Sequence, residues 1–544
     1  MTDIPLDASL PGRPWLKHYD PGVPRTLAPY PRSTLLDVVR EAAARRPGHA
    51  ALLFKGASLS YRELDRLTTA LAAGLAAQGV QRGERVALLL PNSPQAIIAQ
   101  FGAWKAGTIV APLNPLYTER ELEYALNECG AETVVVLTPF YRKVKSLQAA
   151  TRVRRVIVTN IKEFLPPFLR GLFVLVKEQR EGHRITPQPG DVWLQDLLRV
   201  LPESAQPAPP EPDDPALLLF TGGTTGRPRA ALGTHHALLM SAMQTHAWFA
   251  PVLREWEDRV LLAMPLFHVY GNVGVLSTSL IGPNPIVLVP NPRDLDDLIA
   301  TIGKARPAFF PAVPTLLTAL VNHPQVAGRK VDFTSLKLCI SGAAPLLAEA
   351  QQRFEALTGG RVIDAYSLTE AMNAAVAQPV KGAPKRGSVG MPLPDVEIRI
   401  VSIEGDRGDL PPREPGQILM RAPQLMREYW RRPEETAELI REGWLHTGDI
   451  GYLDEDGFLF VVDRMKDVVK PGGFQVWPRE VEEVIAAHPA VAEVGVAGVR
   501  DSHRGEVVKA WVVLREGEQL TPDDVQSWCR ERMAAFKVPR IVEF

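Results

Sequence analysis

From about residue 33 to residue 390 the chain alternates between two hydrophobic periods. In SYRELDRLTTALAAGLAAQGV the apolar residues recur three and four apart, behind a serine placed to cap the first turn. That pattern predicts an amphipathic helix. RVALLL is a short unbroken apolar run, as expected of a strand buried on both faces. PQAIIAQFGAWKAG continues as a helix, and TIVAPL, ETVVVL and RVIVT as strands. Such a βαβα rhythm predicts parallel sheets covered by helices.

After residue 390 the period changes. VEIRIVS, GQILMRA and GFLFVVD alternate residue by residue, as antiparallel strands do, and DEDG at 454–457 reads as a hairpin turn. DEDG is not a calcium loop, because the further ligands do not follow at the required offsets. From Arg464 onward, PREVEEVIAAHPAV and EVVKAWVVL predict a small α/β unit. A proline-rich linker, ESAQPAPPEPDDP at 203–215, precedes the strand LLLF. The segment FLPPFLRGLFVLVK at 164–177 admits two readings. Phe168, Leu169, Leu172, Phe173 and Val176 share one helical face, with Arg170, Lys177 and Arg180 at its edge. It is either a core helix or one lying in a membrane interface.

Composition narrows the classes. At 544 residues the chain is too long for a single core. A formal net charge of -1 provides no general field for nucleic acid, so that partner is not expected. Cys129, Cys339 and Cys529 lie far apart without metal-ligand spacing and read as reduced core thiols. MTDIPLDASLPGRPW has neither the basic start nor the apolar run of a signal peptide, and no run reaches the ~18 apolar residues of a membrane span. A cytoplasmic protein is expected. Peripheral contact with the inner face of the membrane and a homodimer are further expectations.

The stretch LLLFTGGTTGRPRAALGTHH, 217–236, carries the first chemical signal. Between positions 221 and 229 stand three glycines, three threonines and two arginines. A strand followed by such a turn and then a helix (HHALLMSAMQTHAW) would gather backbone N–H groups around an anion, with Arg229 adding fixed positive charge. No Lys-Ser/Thr pair follows the last glycine, so this is not a Walker A loop.

Further motifs follow in order: SGAAPL at 341–346, AYSLTE at 365–370, WLHTGD at 444–449 and DRMKD at 463–467. Together with TGGTTGRPR they resemble the acyl-adenylate-forming superfamily over nearly the whole chain. RPWLKHYDPGVP, APLNPLYTERELEYAL and MPLFHVYGN are most similar to bacterial long-chain fatty acid–CoA ligases. The resemblance implies an α/β fold with a large N-terminal domain of parallel sheets and covering helices plus a small antiparallel β region, 1–462. A hinge at 463–466 and a small α+β domain, 467–544, would follow. It implies ATP, Mg²⁺ and coenzyme A, and two half-reactions: a fatty acid carboxylate attacks the α-phosphate of ATP, then the CoA thiol displaces AMP. No side-chain nucleophile is required, only alignment and charge neutralisation.

By the same resemblance, Thr221, Gly222, Gly223, Thr224, Thr225, Gly226 and Arg229 hold the triphosphate. Glu370 is the Mg²⁺ carboxylate, with Thr221 sharing the ion. Gly342, Ala343 and Ala344 border the adenine on one side and Tyr366 on the other, with Asp364, Ser367 and Thr369 nearby. Asp449 takes the ribose, assisted by Arg464. His268 stands among apolar neighbours, the usual setting of a core histidine, yet matches the family's substrate-site histidine. Lys466 is the pivot of the hinge, and Lys470, Gly472, Gly473 and Phe474 face the CoA pantetheine.

The chain departs from the family's pattern in places. Relatives commonly carry Lys at 229, Gly at 230 and Gly at 367, where this sequence has Arg229, Ala230 and Ser367. Some long-chain members have a gating tryptophan where Asn272 stands. The family's last lysine, which touches the carboxylate and α-phosphate, is expected shortly after AAFKVPRIVEF; Lys537 matches an earlier lysine, so the sequence ending at Phe544 reads as truncated. Without that group, adenylation is expected to slow by ~10²–10³, with more of the thioester-forming step retained. A medium-chain or aryl acid CoA ligase, or a degenerate nucleotide- or acyl-binding protein, are the alternatives. A peptide-synthetase module is disfavoured because no carrier domain follows.

Overall fold

The computed structural model describes residues 13–200, 207–221, 228–342, 348–403, 408–469, 471, 476–501 and 505–544, without the side chains of 348, 374 and 505. They fall into two compact units. The first comprises Met1–Lys385, Gly390–Val396 and Ala422–Glu438, and the second Arg386–Val389, Glu397–Arg421 and Leu439–Phe544.

Two large sheets build the first unit. One has nine strands, in the order Met391–Pro392, Asn373–Ala377, Arg361–Leu368, Leu338–Ser341, Phe309–Ala312, Val260–Leu262, Ile286–Leu288, Ala50–Phe54 and Ala57–Ser60. Its inner strands, from Arg361–Leu368 to Ala50–Phe54, run parallel, and antiparallel pairs close both edges. The other has eight strands, from Glu428–Tyr429 through Arg229–Thr234, Pro215–Thr221, Ile109–Pro112, Arg85–Leu89, Thr133–Leu137 and Arg155–Thr159 to Val192–Trp193. The expected runs RVALLL, TIVAPL, ETVVVL and RVIVT are its parallel strands.

Helix Pro94–Lys105 joins the two sheets. Every residue but Lys105 is buried, which explains why its sequence is apolar all round. Just before it, Asn92 donates to the carbonyls of Leu262 and Met264 in and beside one sheet, while Trp104 Nε1 donates to Ala216 O in the other. The serine-led helix Tyr61–Ala77 forms as expected: Ser60 and Glu63 cap each other reciprocally. The three cysteines are buried free thiols. Among the described residues no helix is long and apolar enough to cross a membrane.

The second unit holds an antiparallel sheet of Glu397–Val401, Gly416–Arg421, Trp444–Leu453, Ile440–Arg441 and Leu459–Arg464. The DEDG turn joins its last two long strands, with Asp454 N donating to Phe458 O. Val491–Asp501, Gly505–Leu514 and Ile541–Glu543 form a three-stranded sheet. Helices Pro478–Ala486 and Pro522–Arg530 contribute Val481, Ile485, Val525 and Cys529 to a core shared with Val496, Val508 and Val512. The boundary expected at 462/463 therefore falls inside the second unit, at the end of strand Leu459–Arg464, and the antiparallel β region groups with the C-terminal part.

The strand–turn–helix expected around the glycine loop is corrected. Residues 222–227 connect two antiparallel strands, Pro215–Thr221 and Arg229–Thr234, with Thr221 opposite Arg229. Helix His235–Phe249 begins only after the second strand, capped by Thr234. RAALGT packs as a strand because its small apolar residues are buried between Leu217–Phe220 on one side and Glu428–Tyr429 on the other. The helix N-terminus is thus a full strand away from the loop, and its dipole adds nothing there.

Candidate active site

Of the residues assigned to the nucleotide, Gly222, Gly223, Thr224, Thr225, Gly226, Ala343 and Ala344 lie outside the described residues, as do Lys470, Gly472, Gly473 and Phe474. The flanks of the first loop are described. Arg229 opens its strand with Nη1 donating to Glu435 Oε2 at 2.9 Å, and its guanidinium lies 4.9 Å from the centre of the Tyr429 ring. Its Nε is buried and has no hydrogen-bond partner among the described residues. Beside it, Tyr124 OH donates to Pro228 O at 2.9 Å. Arg432 bonds both Glu128 Oε1 (2.9 Å) and Glu435 Oε1 (2.7 Å). The residues after the loop are therefore held by a lattice of charge-assisted bonds.

Tyr429 links this lattice to Glu370. Its phenol donates to Glu370 Oε1 at 2.5 Å, and Met426 N donates to Glu370 O at 2.7 Å. Burial and the neighbouring carboxylate hold the phenol's pKa far above its ordinary value, so it remains a donor. Glu370 and Thr369 sit in the turn Thr369–Ala371, which contacts the strand that ends in Thr221. One carboxylate oxygen is engaged by Tyr429, and a carboxylate offers further lone pairs.

The fit to Mg²⁺ follows from that donor set. Among the described residues no group of three or more His, Cys, Asp or Glu side chains could hold a metal ion. A single half-buried carboxylate suits an ion that keeps several waters and arrives on substrate phosphates. The residues present fit Mg²⁺ in that manner.

A second group of residues gathers where the parallel strands end. Ser341 closes strand Leu338–Ser341, with its hydroxyl buried and without a partner among the described residues, and Gly342 follows. A Cβ added at Gly342 would stand 3.4 Å from Tyr270, whose OH donates to Ile340 O at 3.1 Å. In the neighbouring strand Arg361–Leu368 the residues from Asp364 to Leu368, including Tyr366 and Ser367, are all half-buried, and the pairing shifts register between Tyr366 and Ser367. The carboxyl ends of parallel strands are where open α/β sheets present their ligand sites.

His268 lies two residues before Tyr270. It is exposed, which removes the core reading, and its Nδ1 accepts from Tyr270 N at 3.3 Å. Surrounding protein still desolvates the ring enough to lower its pKa below the ordinary histidine value, as in a recess. Asn272 behaves differently: fully buried, it exchanges two amide bonds with Gln100 (2.9 and 2.8 Å) and donates to Leu266 O. This position is a fixed polar cross-link.

Within the second unit, Asp449 and Arg464 face each other across paired strands, 3.4 Å apart between Oδ1 and Nε. Asp449 is buried while Arg464 and Lys466 are exposed. Asp463 accepts from Arg464 N and from Arg479 N, so its carboxylate caps helix Pro478–Ala486.

Sequence reasoning passed over Tyr429, Glu435, Arg432, Tyr124 and Tyr270. The signal for the first three was present in MREYWRRPEET, whose dense alternation of charge and aromatic rings suits a network better than a solvated face. Tyr270 lies inside MPLFHVYGN, a stretch that by itself assigns it no role.

The chain matches the AMP-binding enzyme family over residues 39–430 and the AMP-binding enzyme C-terminal domain over 480–544. It is 37% identical over 536 residues to a long-chain-fatty-acid–CoA ligase of Bacillus subtilis (strain 168), covering 98% of this chain and 94% of the relative. It is 33% identical to a feruloyl-CoA synthase of Amycolatopsis sp, covering 92% and 93%. Among solved structures it is similar to ATP-bound MatB from Rhodopseudomonas palustris (TM-score 0.80, 29% identity, 94% of both chains). It is also similar to the anthranilate CoA ligase AuaEII in complex with anthranoyl-AMP (TM-score 0.82, 26% identity, 95% and 94% coverage).

Proposed function

The chain belongs to the family of AMP-binding enzymes, and from that premise we propose that it is an AMP-forming long-chain fatty acid–CoA ligase. The observation that carries this reading is identity of 37% to a long-chain-fatty-acid–CoA ligase across 98% of the chain. In the first half-reaction a fatty acid carboxylate oxygen attacks the α-phosphorus of ATP, and the bond to the β-phosphate breaks to release pyrophosphate. In the second, the sulfur of CoA attacks the acyl carbon and AMP departs with the electrons of the acyl–oxygen bond.

The residues serve these steps by binding and orienting. Arg229 and the Thr221 hydroxyl, at the two ends of the 222–227 loop, take the triphosphate. Glu370, aimed by Tyr429, would hold Mg²⁺, and the ion would supply charge neutralisation on the leaving pyrophosphate. Gly342 and Tyr366 border the base, with Asp364, Ser367 and Thr369 beside it. His268, whose pKa desolvation lowers, lines the path of the carboxylate. Asp449, with Arg464 beside it, takes the ribose hydroxyls, and Lys466 is the pivot between half-reactions. Lys470, Gly472, Gly473 and Phe474 meet the CoA pantetheine. Three buried free thiols suit a reducing compartment and support a cytoplasmic place of action.

Similarity to a feruloyl-CoA synthase favours an aryl acid as the second reading. AMP release measured with acids from octanoate to stearate and with ferulate separates the two. A maximum kcat/KM among the long chains is expected, and a higher value with ferulate overturns the long-chain assignment.

A further inference from the structure

Helix Pro167–Val176 is turned inside out. Phe173 is its one buried residue, packed edge-on to His183 at 5.1 Å. Among the described residues, six of the twelve exposed large apolar side chains fall in these ten positions: Phe168, Leu169, Leu172, Val174, Leu175 and Val176. Phe168 is 80% exposed and Leu175 85%. Spacings of four and three place Phe168, Leu172 and Leu175 along one line, flanked by Leu169 and Val176, so the apolar stripe faces water. The helix is no loose tail. His183 accepts or donates at Thr138 Oγ1 (2.8 Å), and Asn160 Nδ2 holds both Glu178 Oε1 and His183 O at 3.2 Å. Of the two readings left open by the sequence, the core helix is excluded.

The surroundings are basic. Arg170, Lys177, Arg180 and Arg184 are exposed on and just after the helix. Arg170 and Lys177 have partners in Glu163 and Glu181, and Glu178 is paired with Lys162, so Arg180 and Arg184 add net positive charge. The stripe by itself also falls short of a stable protein interface: with Phe168 at 80% exposure contributing on the order of 150 Å², the six side chains together expose several hundred Å², against about 800 Å² per partner in a specific complex.

We propose that helix Pro167–Val176 docks the protein on an anionic lipid bilayer, its apolar stripe among the acyl chains and its arginines at the headgroups. This rests on the fatty acid reading only for its purpose, since long-chain acids partition into that phase; the contact itself requires no turnover.

Flotation of the full chain with liposomes tests it. Wild type is expected to float with phosphatidylglycerol-containing vesicles, much less with pure phosphatidylcholine, and to be released by salt. The double variant Phe168→Glu/Leu175→Glu should lose at least tenfold in bound fraction, and Arg180→Glu/Arg184→Glu should lose the preference for anionic lipid. Both should keep the wild-type melting temperature and the wild-type kcat on monomeric octanoate. Equal flotation of wild type and the apolar variant, or absence of wild-type binding, overturns the proposal. So does a dimer that the apolar variant dissociates in light scattering, because that assigns the stripe to a second copy. A chain that floats but forms no acyl-CoA sinks the ligase reading and leaves the docking intact.

Discussion

Tyr429→Phe removes one oxygen from the lattice around Glu370 and leaves the rest standing. The residue is 3% exposed, so its ring stays packed, and Arg229 keeps the aromatic face 4.9 Å away. The backbone at Glu370 is still held by Met426 N. What disappears is the 2.5 Å bond that aims the carboxylate. A hydrogen bond to a charged group is worth about 1.5–3 kcal/mol. If that energy serves to orient Glu370 toward the metal-bound triphosphate, its loss appears in the transition state as about 10–100-fold in rate. ATP–pyrophosphate exchange across a Mg²⁺ titration reads this directly: the maximal rate should fall by that factor and the half-saturating Mg²⁺ concentration should rise. Thermal unfolding should barely move, since no cavity larger than a hydroxyl is made. An unchanged exchange rate with an unchanged Mg²⁺ dependence refutes the reasoning, because Tyr429 would then be a packing residue and nothing more.

Arg229→Ala should lower adenylation by about 10²–10³, the usual loss for one preorganised charge-stabilising donor; exchange at the wild-type rate would remove Arg229 from the machinery. Asp449→Asn should raise the KM for ATP about 10–100-fold while the melting temperature holds, as expected when one charge-assisted contact is lost; an unaltered KM would free Asp449 from the ribose. His235 offers a pH test. It is 1% exposed, neither ring nitrogen has a partner among the described residues, and burial pushes its pKa down to about 4. Its folded pKa is below the unfolded value, so the unfolded state binds more protons between the two. Stability is therefore complete above about pH 6.5 and falls as the pH drops toward 4, by roughly 3 kcal/mol at most. Urea midpoints for His235→Leu should decline less over that window than those of wild type. Parallel curves would show that another group carries the acid sensitivity.

Periodicity alone placed much of the fold. RVALLL, TIVAPL, ETVVVL and RVIVT are parallel strands because a run apolar on both faces has no other way to bury both. Ser60 and Glu63 cap their helix as local chemistry requires. The alternation after 390 became an antiparallel sheet with its turn at DEDG. The ordered motifs also gave the family, since they are read without knowing what lies beside them.

Tertiary structure decided the rest. The glycine loop bridges two strands because RAALGT finds pairing partners on both sides, Leu217–Phe220 and Glu428–Tyr429, and the second of these is some two hundred positions away. Glu435 meets Arg229, and Tyr429 meets Glu370, for the same reason. His268 is exposed amid apolar neighbours, and the stripe of Phe168, Leu172 and Leu175 faces water although its sequence suits a core. A side chain's type and spacing state what it would bury or bond if a partner were present. Whether one is present depends on which distant segment packs there, and one-dimensional order carries no record of it.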